Sequence, residues 1–271
     1  MDWGRAKTIL IIAFLILDLL LFWELVERRS VLDEGRMHAA EELERRLRQS
    51  GVELATDVPV EIPDGWVLTV EFLPVQPPEA VPASVEPSRR QPNQWTVTLR
   101  RPYPIMPEGA RQEEPRMELP PDLVYQARQY EPDPLLSTDE RWRYVQTVQG
   151  VPLFHVGLEL VLEHGAIQAY HQSWAAVRRR EAAPALISAA TAVYSLLEKQ
   201  YLSEFTVLQE VRFGYYGRLY DADQQVLNPV WRVVYDEQRA DGHERHVVFV
   251  NAITGSLELE DQEVNVQKQD L

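Results

Sequence analysis

Apolar and polar positions change their spacing several times along the chain, and each change predicts a different element. The first stretch has almost no polar phase: sixteen residues from Thr8 to Trp23 carry a single charge, Asp18, and continuing across Glu24 to Val26 gives nineteen. At about 1.5 Å per helical residue nineteen residues span roughly 28 Å, the thickness of a bilayer core. A cleaved leader is the rival reading, because the short basic start MDWGRAK precedes the run. The run is long for a leader, however, and FWELVERRSVLDEG behind it offers no small-x-small cleavage site. The pattern therefore predicts a short tail over 1–7 and an uncleaved transmembrane helix over 8–26, with Trp3 and Trp23 near its two ends as interfacial aromatics; Arg5 and Lys7 on one side face Arg28, Arg29 and Arg36 on the other, so charge alone leaves the orientation open.

A helical period follows through Leu25, Leu32, Ala39, Leu43 and Leu47, and Ser50 with Gly51 closes it as a C-cap would. This predicts a juxtamembrane helix over 27–50, weakened at Gly35. The period then drops towards two. GWVLTVEF (65–72) and QWTVTLR (94–100) read as strands, the second alternating at Trp95, Val97 and Leu99. Proline-dense stretches around them, LPVQPPEAVPASVEPSRRQP and RPYPIMPEGARQEEPRMELPPD, read as extended connectors, because proline fixes φ and removes a donor.

From Arg141 the alternation resumes. RWRYVQTVQGVPLF and VGLELVLEHGAIQAYHQSWAAV each read as two strands around a turn, QG and HG, in an antiparallel meander. APALISAATAVYSLLEKQYL (183–202) carries one broad apolar helical stripe, and three strands and a tight turn follow it. The expected fold class is α+β: one transmembrane helix continuing into a stalk, then two small helix-plus-antiparallel-sheet units, membrane-proximal over 51–121 and distal over 122–271.

Charge narrows the function. The chain is −15 overall, and residues 1–23 cancel among themselves, so all of the excess lies in the folded part. Such a domain repels nucleic acid and anionic headgroups. No cysteine is present, which removes thiol and disulfide chemistry. No G-x-S-x-G elbow, glycine-rich phosphate loop or H-E-x-x-H occurs, and His155, His164, His171 and Ser173 read as solvated or edge-strand residues, so no catalytic residue is assigned. His243 and His246 form H-x-x-H beside Asp236, Glu237 and Asp241, but a strand throws residues three apart onto opposite faces. That segment reads as a polar hairpin tip, with no metal or other cofactor assigned. FGYYG (213–217) describes either a bulge with packed rings, the favoured reading, or a groove lined by Tyr215 and Tyr216.

The opening MDWGRAKTILIIAFLILDLLL, with FGYYG at 213–217, NPVWRV at 228–233 and VNAITG at 250–255 in that order, resembles the YycI family across the whole chain. These are membrane-anchored regulators that accompany the WalK sensor kinase and the related protein YycH in Gram-positive bacteria. The resemblance implies a single-pass protein with its N-terminus in the cytoplasm and its folded part outside, without catalysis, modulating a cell-wall-sensing histidine kinase through membrane-helix contacts and contacts with a YycH-like protein. The NAITG ending is also similar to PepSY-type modules, which bind or inhibit peptidases.

Asp18 has its own physics. An ionisable group at mid-bilayer costs about 2.5 to 3.5 kcal/mol on insertion scales, so it normally faces protein or water. The stripe around it comprises Ile11, Phe14, Leu15, Leu21, Phe22 and Leu25, the expected contact face for another membrane helix. Three function classes follow: a regulatory interaction protein, an extracytoplasmic ligand-sensing or peptidase-inhibiting module, and a membrane-anchored hydrolase. The first is preferred.

Overall fold

Alternating burial along extended segments builds most of this protein. The computed structural model describes residues 38–258 apart from Ala80, Arg90, 106–118, Leu219, Ala240 and Asp241, together with Phe14, Leu15 and Leu17. In chain order a helix α1 (38–49) precedes strands β1 (Glu53–Leu54), β2 (Trp66–Phe72), β3 (Ala83–Pro87) and β4 (Trp95–Pro104). Next come β5 (Tyr130–Pro132) between two single 3₁₀ turns, then β6 (Arg141–Val148), β7 (Val151–Glu163), β8 (Ala166–Gln172) and β9 (Ala175–Ala182). Helix α2 (Ala189–Glu198) leads into β10 (Thr206–Tyr216), β11 (Gln224–Arg239), β12 (Gly242–Asn251) and β13 (Leu257–Glu258).

The turns are set by residue chemistry. Gln149 and Gly150 have φ of 55° and 78°, and His164 and Gly165 have 51° and 76°, so both two-residue hairpin loops take the doubly left-handed form that suits strand twist. Helix α1 closes with paired hydrogen bonds, Val52 N–H to Leu47 O (2.9 Å) and Gly51 N–H to Arg48 O (3.2 Å), around Gly51 at φ 76°. Helix α2 starts later than the apolar stripe alone predicts. Ser188 caps it by accepting from Thr191 N–H, and residues before it stay extended, with Ile187 N–H bonded to Ala252 O.

The expectation of two small helix-plus-sheet units is overturned. Among the described residues thirteen strands join in one large mixed sheet, with a main path β13-β12-β11-β10-β7-β8-β4-β3. The two strands of the expected first unit do not pair with each other: β2 lies between β9 and the start of β11, whereas β4 lies between β3 and β8. Nor does α1 cover them. Leu43 and Leu47 enter the same core as Ala192, Val193 and Leu196 of α2, against Trp231, Val233 and Val250. One sheet face takes both helices because α1 and α2 each offer one apolar stripe, and β10–β12 supply the wide complementary surface. A β strand also forms inside the proline-dense connector. Among the described residues β3 pairs with β4 alone and so forms an edge strand, a place where proline costs no ladder hydrogen bond.

Two strands hold the halves together. Val151–Glu163 runs beside β8 at its far end, while Leu153 near its start pairs in parallel with Tyr215 of β10. Residues 224–227 of β11 pair with β2, and the rest pairs with β10 and β12. Among the described residues no helix is long and apolar enough to cross a membrane. The expected span over 8–26 lies outside them, except that Phe14, Leu15 and Leu17 are helical and exposed.

Candidate functional site

Strand alternation gives β10–β12 two unlike faces. Trp231, Val233 and Tyr235 point to the helices, which leaves Arg232 and Asp236 of β11 on the other side, with Glu210 and Arg212 of β10 and Arg245 of β12. That polar face is covered by β5 and the turn after it. Along this crossing segment Glu131, Asp133 and Leu135 alternate, and each receives one arginine from a successive strand. Arg212 pairs with Glu131. Arg232 forks onto both oxygens of Asp133 and also bonds Glu210 Oε1 (2.8 Å). Arg245 donates to Leu135 O while holding both oxygens of Asp236 at 2.7 and 2.8 Å.

The middle rung is buried. Arg232 is 1% exposed and its guanidinium lies 4.6 Å from the Phe154 ring centre, a cation–π contact in a water-poor site. Burial alone would lower the Arg232 pKa, but the carboxylates of Asp133 and Glu210 outweigh it and the net shift is upward. Hydrogen bonding to Asp236 likewise raises Arg245. Such a grip fixes the register of the crossing segment on the sheet, since a shift by one residue would part the buried Asp133 carboxylate from Arg232.

Beside it lies an aromatic cluster. Tyr216 stacks on Phe249 (4.1 Å between centroids, 22°) and His155 sits 4.1 Å from Tyr216. His155 Nδ1–H donates to Gly217 O at 2.7 Å. Tyr215 and Tyr216, the expected groove residues, are 4% and 3% exposed, with their rings taken up in packing. The register shift in β10 falls at Leu208/Glu210 rather than in FGYYG. Gly214 is needed for closeness: a Cβ there would come within 2.4 Å of the Phe154 ring and 2.8 Å of Pro152 O.

The remaining histidines are dispersed. His171 Nδ1 meets Thr96 Oγ1 at 3.0 Å, His164 forms a turn, and Ser173 O accepts from the Tyr130 hydroxyl. Asp18, Ile11, Leu21, Phe22 and Leu25 lie outside the described residues, and Phe14 and Leu15 are 55% and 60% exposed. Sequence reading missed the arginine grip. Arg232 lies within NPVWRV, but nothing in that stretch points to Asp133, and only strand register makes Arg212, Arg232 and Arg245 neighbours.

Fold and site together define a β-rich domain whose sheet is locked by internal ion pairs and backed by two helices. The family model described as YycI protein matches residues 35–253. The chain belongs to the YycI family, which is a regulatory family and not a known enzyme family. No curated protein matches the chain. Among solved structures, a crystal structure of an uncharacterized protein from Eubacterium rectale ATCC 33656 is similar over 45% of this chain, at 11% identity and a TM-score of 0.31. The match spans 43% of that protein, less than half its length.

Proposed function

We propose that the chain is a non-catalytic regulator, held at the cell membrane by its N-terminal apolar segment, that modulates a WalK-type sensor histidine kinase from the outer side together with a YycH-like protein. The family match over residues 35–253 carries this reading. The apolar start supports it independently. Phe14, Leu15 and Leu17 stand at about 0°, 100° and 300° around a helix, and all three are between 49% and 60% exposed. Apolar side chains exposed on several sides suit a hydrocarbon surrounding better than a single packing face.

Regulation of this kind needs contacts whose strength differs between the kinase's signalling states, since equal affinity for both shifts nothing. Asp18 is the residue with the strongest reason to seek a protein partner, because a lipid-facing carboxyl is costly. The test is photocrosslinking in native membranes from Ile11, Phe14, Leu15 and Leu21, one position at a time. Capture of a kinase membrane helix from the Asp18 side is the expected result. Adducts with lipid alone at every position overturn the reading.

A further inference from the structure

The hairpin of β11 and β12 assembles a group of side chains that the H-x-x-H spacing does not reveal. Register pairs Glu237 with Glu244 and Tyr235 with His246. Alternation then puts Glu237, Glu244 and His246 on one face, and sends His243 to the other. One potential ligand atom from each of the three lies within 4.8 Å of the others.

Three observations set this group apart from an ordinary charged surface. Two glutamates stand directly opposite each other, a cross-strand arrangement that needs a cation between them, a place the exposed Arg239 side chain fills in this structure. The His246 Nε2 atom is buried and makes no hydrogen bond, although it lies 3.5 Å from Glu237 Oε2 and 4.0 Å from Glu244 Oε1. The imidazole is also held in place, stacked on Tyr235 at 5.0 Å and 22°.

The geometry points to a divalent-cation site of the zinc type, with Glu237, Glu244 and His246 as ligands and water completing the shell. Zinc–nitrogen and zinc–oxygen bonds of about 2.0 to 2.2 Å at tetrahedral angles place two ligand atoms about 3.3 to 3.6 Å apart. The His246–Glu237 separation of 3.5 Å already has that value. Glu244 needs to close by about half an ångström to match it, and its side chain is 46% exposed and has room to do so. An imidazole nitrogen among the ligands favours zinc over calcium or magnesium, which prefer all-oxygen shells. The guanidinium of Arg239 now bridges the two carboxylates, 3.0 Å from Glu237 Oε2 and 2.5 Å from Glu244 Oε2. Arg239 is thus the internal cation that an arriving metal ion displaces.

Titration of the full-length, chelator-stripped chain in detergent micelles with ZnCl₂ tests this, with MgCl₂ and CaCl₂ in parallel. One saturable zinc equivalent is expected, with no comparable response to the other two salts. Glu244→Gln and His246→Ala each weaken zinc binding by about tenfold or more, Arg239→Ala strengthens it by removing the competitor, and His243→Ala leaves it unchanged. Glu244 is exposed, so its variant keeps the fold and decides the matter if His246→Ala does not. Absence of saturable zinc binding, or binding that survives Glu244→Gln undiminished, overturns the site.

Discussion

Asp133 and Arg232, 99 residues apart in sequence, form a forked ion pair in which both side chains are 3% exposed or less. A pair this deep contributes little net stability, because desolvation offsets the attraction, but breaking it strands a charge. Asp133→Ala is therefore expected to cost about 3 kcal/mol, the lower end of the range for a broken buried pair, since Glu210 still bonds the arginine. The double variant Asp133→Leu with Arg232→Met is expected to lose clearly less than the single one. Urea unfolding midpoints of the two variants check this, and a double variant less stable than Asp133→Ala contradicts it.

Tyr144 offers the opposite case. Its hydroxyl is buried without a hydrogen-bond partner, so the folded protein bears a desolvation cost of about 1 kcal/mol or more with no return. Tyr144→Phe is expected to leave stability unchanged or to raise it at neutral pH, read by thermal unfolding.

The buried tyrosines also set the alkaline limit. Burial raises the pKa of Tyr130, Tyr144 and Tyr170, and burial, with Glu237 adding to it, pushes Tyr235 up to about 12. Each is protonated in the fold at a pH where the unfolded chain, near pKa 10, has begun to ionise. Their contribution is complete below pH of about 10 and is lost as pH rises towards the folded values, at up to about 1.4 kcal/mol per unit per tyrosine. Stability measured by denaturant from pH 9 to 12 should fall steeply above about 10, and less steeply in Tyr144→Phe.

Gly214 permits the parallel crossing of β7 and β10. Gly214→Ala drives a methyl into the Phe154 ring and Pro152 O and is expected to destabilise by about 1 to 3 kcal/mol. Adding Phe154→Leu to it should recover part of the loss, which a thermal melt series can follow.

Under the proposed function, Asp18→Leu is expected to retain membrane insertion while weakening co-purification of a WalK-type kinase or of a YycH-like protein from detergent extracts. Unchanged recovery of both removes Asp18 from the mechanism.

What the residues disclosed on their own was local. The QG and HG turns, the cap at Gly51 and the strands that became β10–β12 follow from short-range chemistry, and α2 lies within its apolar stripe but begins only after the Ser188 cap. The assembly did not follow. Nothing near Leu43 and Leu47 indicates that they bury against Trp231 and not against β2 and β4. β9, with VRRRE in its middle, lacks apolar alternation because its residues from Arg178 to Ala182 are exposed, and β3 was hidden among prolines. The arginine grip and the Glu237–Glu244–His246 group share one reason for being missed. Both are cross-strand relations, and register over long sequence separations is fixed by the complete sheet, not by any one segment.

The join between α1 and the sheet has a mechanical result. The helix ends in a closed cap at Gly51, β1 begins two residues later alongside β10, and Leu43 and Leu47 are wedged beneath α2. No slack separates helix from strand. A twist or pull delivered to α1 is borne at once by the hydrogen-bonded ladder of β10, so the helix serves as a stiff shaft and the domain as its load.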